Sequence, residues 1–456
     1  MTLFQGGKYL YLSALIANIL PFIVGVVSAW SSSVIPHLEN DDLDQIPIGR
    51  KINQTEASWI GSLTAMGAIF SSLIFGYFTQ KIGRKAMGII VILPFFIAFL
   101  ITAFANIIEL FYIGRILMGF GTGGMFFASP IYLVEIAEDS NRGLLTASTS
   151  MFLMVGMIFS YSIGPFASIM IFNLILATVC FLYCPIFWYK APESPYYLAS
   201  INEDEKALKS LQFLRRRASK DLEEELKKIK YNLTSKNQSA FLDIFKSKGA
   251  TKAFFYCIIL TVFQQFAGIN VFYSYMQPIF DATESSVSPK ISPIIVSSVQ
   301  LGSSVLALLL SDKIGRKFLL LLSATGAALC EIALGLYFYL YNTGYDVSVI
   351  NWMPIVSLMI FMLFYKVGVG SLAWPMTYEL LPSNVVSTAI LPITSLYWLT
   401  GFLMTFYFAS LSNVIGMAGS FWLFGGFCSV FGLFVYFFIF EIKGKSLSEI
   451  QAILNN

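Results

Sequence analysis

Long apolar stretches recur along most of the chain, and short polar segments separate them. Each stretch holds roughly 20 residues, the length that an α-helix needs to cross the hydrocarbon core of a bilayer. The pattern predicts twelve membrane-spanning helices, at about 9–30, 57–78, 86–105, 110–132, 143–165, 168–190, 252–280, 291–311, 318–341, 352–378, 385–411 and 416–440. The first stretch is too long for the apolar core of a signal peptide, so we expect it to remain as a helix.

One long polar segment, residues 191–251, lies between the sixth and seventh predicted helices. Its charges and leucines favour short amphipathic helices at a membrane surface, and a solvated charged linker is the alternative. The predicted architecture is an all-α polytopic membrane protein in four parts. These are an N-terminal six-helix bundle at 1–190, a cytoplasmic linker at 191–251, a C-terminal six-helix bundle at 252–440 and a cytoplasmic tail at 441–456.

The composition agrees with a membrane protein and argues against several kinds of chemistry. Only 12% of the residues are charged, about half of the ~25% found in soluble proteins. The five cysteines all lie in apolar stretches, without the spacing of a metal site or a disulfide framework. The single histidine, His37, is expected in a polar loop, so no helix-buried imidazole is available for catalysis. We therefore expect a protein that is not an enzyme and that binds no metal, cofactor or nucleic acid.

The distribution of Lys and Arg predicts the orientation of the chain. If the N-terminus is cytoplasmic, the inner segments hold most of these residues, whereas the outer loops hold only Arg50, Lys51 and Lys290. Inner loops of membrane proteins carry such an excess of positive charge, so both termini are predicted to be cytoplasmic. The sequon at Asn53 then lies outside and is a predicted glycosylation site, while those at Asn232 and Asn237 lie inside and are expected to be silent.

A short basic phrase occurs once in each half, as "TQKIGRK" at 79–85 and "SDKIGRK" at 311–317. The copies follow the second and the eighth predicted helices, which are equivalent places in two six-helix halves. Parallel repeats of this kind are a known transporter plan, in which the glycine permits a tight turn and the cations lie at the inner mouth. Either copy alone is also what a positively charged inner loop produces, but the matched positions favour a true repeat.

Further segments carry a resemblance to a family. They are "GRILMGFGTGG" at 114–124, "PIYLVEIAEDSNRG" at 130–143, "PESPYYL" at 192–198, "QQFAGIN" at 264–270, "GVGSLAWPMTYELLP" at 368–382 and "EIKGKSLSEI" at 441–450. In this order, and together with the two basic turns, they resemble the motifs of the sugar porters of the major facilitator superfamily, from about residue 20 to 450. The resemblance implies the major facilitator fold and transport by alternating access in a cell membrane. It also implies a sugar and membrane lipid as partners and a functional monomer.

The segment "QQFAGIN" supplies the best candidates for substrate contact. Gln264, Gln265 and Asn270 each offer an acceptor and two donors, which suits hydroxyl groups that both give and accept hydrogen bonds. In an unbroken helix Gln265 and Asn270 point in different directions, so they converge only if the helix loosens near Gly268. The alternative is that these amides join helices to one another inside the membrane.

The resemblance adds five residues to this predicted substrate site. Trp374 and Trp398 match tryptophans near the substrate, and Gln300 stands where hexose facilitators usually have Asn. Tyr161 and Tyr397 stand where those facilitators have amides, so glucose need not be the substrate. Facilitated trehalose transporters depart from the hexose site in a similar way, which makes a disaccharide plausible.

A second set of matched residues is charged and is expected at the inner ends of the helices. It comprises Arg84, Lys85, Glu135, Arg142, Glu193, Asp312, Arg316, Lys317, Glu379 and Glu441. The resemblance implies that they form a gating network of salt bridges, although ordinary solvated loop charges are the alternative. Two family members of this network are missing, because Gln80 replaces an acid and Val386 replaces an arginine.

The first predicted helix contains no Asp, Glu or His, and Ile23 stands where proton-coupled members of the family have Asp. A carboxylate there would be a default functional site, so its absence predicts an uncoupled facilitator. Glu109, Glu331 and Lys366 lie in or near other predicted helices, so proton coupling through one of these groups is an alternative. The alternatives are a proton-coupled symporter, a carrier of another polar solute, and a sugar-sensing receptor without flux.

Overall fold

The computed structural model describes residues 7–455 except 43–45, 79–80, 139, 216–218, 235–240, 286, 383–384 and 446. The described residues form helices and connecting turns, and none of them lies in a β-strand. Ten helical stretches are long and apolar enough to cross a membrane, and a shorter apolar helix covers Ser292–Ala307. The longest stretch, Thr388–Phe438, has 51 residues and contains the last two predicted spans. The prediction of twelve membrane helices is therefore confirmed.

The described residues of the first half form seven helices, of which the first two together make one span. They are α1 (Lys8–Ala17), α2 (Ile19–Leu38), α3 (Gln54–Phe78), α4 (Arg84–Ala103), α5 (Ile108–Ile136), α6 (Arg142–Ile163) and α7 (Ile169–Lys190). The helix α2 continues past Pro36 and includes His37. The prediction that His37 lies in a loop is therefore wrong. Its Nε2 donates to the carbonyl of Gly164 at 3.0 Å, which ties the end of α2 to the residue after α6.

The polar segment between the halves contains the short helices α8 (Pro195–Ser200), α9 (Asp204–Arg215) and α10 (Ser219–Thr234), followed by a 3-10 turn at Phe241–Lys246. Their apolar faces meet in a small core of buried side chains, formed by Leu198, Ala199, Ala207, Leu211, Leu222, Leu226 and Ile229. Burying one face of each helix stabilises segments that are too short to be stable alone. The prediction of amphipathic linker helices is confirmed.

In the second half, the residues that the structure describes form eight helices. They are α11 (Lys248–Phe266), α12 (Ile269–Asp281), α13 (Ser292–Ile314), α14 (Arg316–Asn342), α15 (Met353–Val367), α16 (Val369–Leu380), α17 (Val386–Phe438) and α18 (Leu447–Asn455). Glycine marks each of three breaks. Gly268, with φ 70°, separates α11 from α12, and Gly368 separates α15 from α16. Inside α17, Gly416 has φ 75° and ψ 166°, so the two spans of this helix change direction there.

The chain forms two compact units. The first comprises residues 1–26, 66–156 and 168–238, and the second comprises 27–65, 157–167 and 239–456. In the first unit, α2 and α6 approach each other through a reciprocal pair of glycines. A Cβ at Gly25 would overlap the backbone of Leu153, and one at Gly156 would overlap that of Phe22. Small residues allow membrane helices to pack this closely.

Candidate functional site

The segment "QQFAGIN" folds around the break between α11 and α12. Gln265 lies in the last turn of α11, Gly268 adopts the left-handed conformation, and Asn270 is the second residue of α12. A Cβ built on Gly401 of α17 would lie 2.7 Å from Asn270 Nδ2 and 3.1 Å from Gln265 Oε1. Both amides therefore contact the same point of α17. The prediction that a break near Gly268 lets them converge is confirmed.

The two glutamines of this segment differ in their hydrogen bonds. Gln264 Nε2 donates to the carbonyl of Val369 at 2.6 Å, so this amide joins α11 to the start of α16. Gln265 is fully buried, and neither its Oε1 nor its Nε2 makes a hydrogen bond of ordinary geometry within the described part of the chain, although the Tyr397 hydroxyl lies beside this amide. A buried group left without a partner costs about 1–3 kcal/mol. Gln265 is thus the amide best suited to a polar ligand, while Gln264 also joins helices.

A second polar cluster joins α6, α12 and α13. Gln300 Nε2 donates to Tyr273 Oη at 2.5 Å, and Tyr161 Oη donates to the backbone carbonyl of Tyr273 at 3.0 Å. The Oε1 of Gln300 is buried and has no hydrogen-bond partner among the residues that the structure describes. Tyr273 was not predicted from the sequence. Its spacing of three residues from Asn270, which puts the two on one helix face, is the signal that could have found it.

Aromatic rings from α16 and α17 lie beside each other. The ring centroids of Trp374 and Tyr397 are 5.5 Å apart, and those of Tyr397 and Trp398 are 5.1 Å apart. Lys366 lies in the last turn of α15, two residues before the break at Gly368. Glu331 of α14 is 1% exposed, and its carboxyl group lies beside the Cys428 thiol of α17.

In the first unit, residues 81–85 of the first basic phrase form a compact charged cluster with two carboxylates. Arg84 Nε and Nη2 donate to the two oxygens of Glu135, both at 2.8 Å. Glu193 Oε1 accepts the backbone N–H of Arg84 at 3.0 Å and that of Lys85 at 3.2 Å. A carboxylate at this place satisfies free donors at the start of α4 and complements the helix dipole. A Cβ at Gly83 would overlap the Glu193 carboxylate, so the glycine permits this close approach.

In the second unit, "SDKIGRK" forms the same arrangement. Arg316 Nη2 donates to Glu379 Oε1 at 3.3 Å. Glu441 accepts the backbone N–H groups of Arg316 at 3.0 Å and Lys317 at 3.1 Å, which caps the start of α14. Gly315 has φ 103°, and a Cβ there would lie 2.6 Å from Glu441 Oε2. Both phrases therefore carry the same ion pair and the same cap of the following helix, although the backbone differs, since Gly83 has φ −54° and Gly315 has φ 103°.

The two capping carboxylates differ electrostatically. Burial raises the pKa of Glu193 above its usual value, against the opposing effect of the backbone N–H groups that it accepts. Burial acts in the same direction on Glu441, but the backbone N–H groups around it, including those of Lys443 and Arg316, lower its pKa overall. The same geometry thus stabilises the charged form more strongly at Glu441.

The other side chains of the predicted gating network lie outside these two clusters or outside the described residues. Arg142 is the first residue of α6, and the Lys85 ammonium lies 5.0 Å from the ring centroid of Trp188. The side chain of Asp312 and all of Gln80 lie outside the described residues. Val386, at the position of the missing arginine, is the first residue of α17.

Arg215 of α9 is a further buried cation that was not predicted. Its Nη1 donates to the carbonyl of Ile136 at 2.6 Å and its Nη2 to that of Ala137 at 2.9 Å, while Glu225 of α10 lies 3.1 Å away. The guanidinium therefore caps the end of α5 and ties the linker helices to it. Its sequence context, a run of three arginines, is typical of solvated charges and gave no signal of burial.

At the end of the second unit away from "SDKIGRK", α2 and α3 contact α12 and α17. Ser32 Oγ accepts the backbone N–H of Gln277 at 2.9 Å. Gln54 Oε1 accepts from Asn413 Nδ2 at 2.6 Å, and the rings of Trp59 and Phe406 are 4.6 Å apart. These contacts join two helices from the first half of the chain to two from the second half.

Asn53, the predicted glycosylation site, stands directly before α3 and is exposed. Its Oδ1 accepts the backbone N–H of Glu56 at 2.8 Å, and Glu56 Oε2 accepts the backbone N–H of Asn53 at 2.8 Å. This reciprocal capping box fixes the start of α3. Glycosylation of Asn53 stays a prediction.

The described residues define a polytopic helical membrane protein. The family model described as "Sugar (and other) transporter" matches residues 13–454, and the chain belongs to that family. It is similar to a facilitated trehalose transporter of Polypedilum vanderplanki, with 32% identity over 97% of this chain and 88% of the relative. A facilitated trehalose transporter of Aedes aegypti is 30% identical over 96% of this chain, which spans 54% of that relative.

Among solved structures, the chain is similar to the inward open conformation of the xylose transporter XylE from E. coli. The TM-score is 0.80 at 22% identity, covering 97% of this chain and 99% of that one. At this identity the likeness concerns the fold alone. The predicted major facilitator fold is confirmed, and the chain's relatives are transporters, not enzymes.

Proposed function

We propose that this protein carries a sugar across the plasma membrane by facilitated diffusion with alternating access. The observation that carries the proposal is the pair of amides on the broken helix. Gln265 is buried beside the Tyr397 hydroxyl with neither polar atom in a hydrogen bond of ordinary geometry among the described residues, and the amide of Asn270 lies at the same point of α17. A sugar hydroxyl donates and accepts at once, which these amides complement.

Two further features support a sugar as the substrate. Trp374, Tyr397 and Trp398 form a row of rings on which the C–H faces of a pyranose pack. The relatives are named for trehalose transport, which favours a hexose or a disaccharide such as trehalose. A proton-coupled symporter, a carrier of another polar solute and a sensor without flux are the alternatives that the test below separates.

The proposed orientation places both termini and both "KIGRK" turns in the cytoplasm, since most Lys and Arg lie on that side. In this orientation the ion pairs of Arg84 with Glu135 and of Arg316 with Glu379 belong to the inner gate. The contacts of Gln54 and Trp59 with α17 belong to the outer gate. We further propose the four-part division at residues 190, 251 and 440, and a functional monomer in contact with lipid.

Uptake into proteoliposomes tests the proposal. Purified protein is reconstituted and labelled glucose, fructose and trehalose are added outside, with protein-free liposomes and Gln265→Ala as controls. We expect saturable equilibration of at least one sugar, with half-saturation raised in Gln265→Ala. Sugar binding without flux identifies a sensor, and neither binding nor flux of any sugar overturns the proposal.

The same vesicles test coupling, because a trapped pH-sensitive dye reports proton entry. A facilitator equilibrates the sugar without accumulating it and without sugar-dependent acidification. Accumulation driven by an imposed proton gradient and abolished by a protonophore would identify a symporter instead.

A further inference from the structure

Tyr273 of α12 holds a central place among the polar groups that join α6, α12 and α13. Its backbone carbonyl accepts from Tyr161 Oη at 3.0 Å, which fixes the position of its backbone. Its phenol oxygen accepts from Gln300 Nε2 at 2.5 Å, which fixes its ring relative to α13. Tyr273 and Gln300 are therefore held in one arrangement by contacts on both sides.

The hydrogen-bonding capacity of this pair is only partly used. Tyr273 Oη accepts from Gln300, so its own proton remains to be donated, and no described residue accepts it. Gln300 is 1% exposed, and its Oε1 has no hydrogen-bond partner in the described chain. One hydrogen-bonded pair thus presents a donor, Tyr273 Oη–H, next to an acceptor, Gln300 Oε1.

We propose that Tyr273 and Gln300 together recognise one particular hydroxyl of the transported sugar. That hydroxyl donates its proton to Gln300 Oε1 and accepts the proton of Tyr273 Oη. Tyr273 is then a specificity-determining residue, because a sugar with no hydroxyl at that position leaves both groups unpaired. This inference rests on the proposed function and adds to it the recognition of a single ring position.

The competing explanation is that the pair only joins α12 to α13. In that case, removing the phenol hydroxyl changes the half-saturation of every sugar by a common factor, since no sugar atom touches it. Recognition predicts a change confined to analogues altered at one position. The two explanations differ in the pattern over analogues, whatever the size of the effect.

The experiment measures competition by a series of monodeoxy and monofluoro analogues of the best transported sugar, in wild type and Tyr273→Phe. We expect one ring position at which loss of the hydroxyl weakens binding to wild type about two- to tenfold more than to Tyr273→Phe. At the other positions the two proteins should discriminate equally. Fluorine cannot donate, so the fluoro analogue at the sensitive position should bind wild type as poorly as the deoxy analogue.

Two further variants guard against indirect effects. Gln300→Met removes the amide at similar volume and should lose discrimination at the same position. Tyr256→Phe removes a hydroxyl from α11, where the ring packs 5.8 Å from that of Phe434, and should keep the wild-type pattern. Uptake with an unchanged pattern in Tyr273→Phe overturns this inference alone. Absence of any sugar binding or uptake in wild type overturns the proposed function as well.

Discussion

Substitution of Gly401 by alanine tests the site most directly, because it displaces the side chains of Gln265 and Asn270 while both residues keep their identity. The added methyl group would lie 2.7 Å from Asn270 Nδ2 and 3.1 Å from Gln265 Oε1, both closer than ordinary van der Waals contact. Each amide must move by several tenths of an ångström. Alanine at a helical position also favours the helix by about 0.5–1 kcal/mol over glycine, so local helix stability is not at risk.

The expected loss follows from the hydrogen bonds that the displaced amides make to a sugar. A net hydrogen bond contributes about 0.5–1.5 kcal/mol, so complete loss of two of them costs about 1–3 kcal/mol, or about 5- to 150-fold in half-saturation. Uptake into proteoliposomes gives the half-saturation, and thermal unfolding of the purified variant checks its integrity.

Gly426→Ala is the matched control, since it lies in the same helix and a Cβ there meets no atom within 4 Å. It should retain wild-type uptake and stability. A folded Gly401→Ala protein with wild-type half-saturation for every transported sugar would refute the placement of these amides at the substrate.

Three further predictions concern the helix ends. Glu135→Gln removes one charge of the ion pair with Arg84, so cysteines introduced at the inner mouth should be labelled faster, with little change in sugar selectivity; unchanged labelling would contradict a gating role. The raised pKa of Glu193 adds stability at low pH that is lost as pH rises through that pKa, whereas the lowered pKa of Glu441 adds stability above pH 4.5 that is lost on acidification. As the pH is lowered from 7 to 4, the melting temperature of wild type minus that of Glu193→Gln should therefore rise. Over the same range, the melting temperature of wild type minus that of Glu441→Gln should fall. Two differences that change in the same direction would refute the assignment. Protein from a eukaryotic host should shift in mass on glycosidase treatment, and Asn53→Gln should abolish the shift.

Features governed by local sequence were predictable. Apolar length gave the membrane helices, and the repeated phrase marked equivalent places in the two halves. The incompatibility of Gln265 and Asn270 with one helix face required a break, which Gly268 provides with φ 70°. Each of these follows from helix geometry within a few residues.

Features that depend on distant residues were not predictable. Gly401 meets the amides of Gln265 and Asn270 only after α17 packs on α11, and nothing around it in sequence signals this. Arg215 is buried because two carbonyls at the end of α5 need donors, a requirement invisible in a run of arginines. The wrong prediction for His37 has a similar cause, since the carbonyl of Gly164 accepts a hydrogen bond from His37 and stabilises a last helical turn beyond Pro36.

The positions of glycine separate rigid from adaptable parts of the protein. Gly83 and Gly315 admit a carboxylate onto a helix start, and the capped ends of α4 and α14 are fixed by several hydrogen bonds each. Gly268 and Gly368 instead interrupt the helices that carry the amides and Trp374. Hinged closure needs a few residues that absorb a backbone change between rigid elements. In the proposed transporter, we therefore expect the breaks beside the sugar contacts to absorb the backbone change, while the capped ends of α4 and α14 move with their helices as rigid elements.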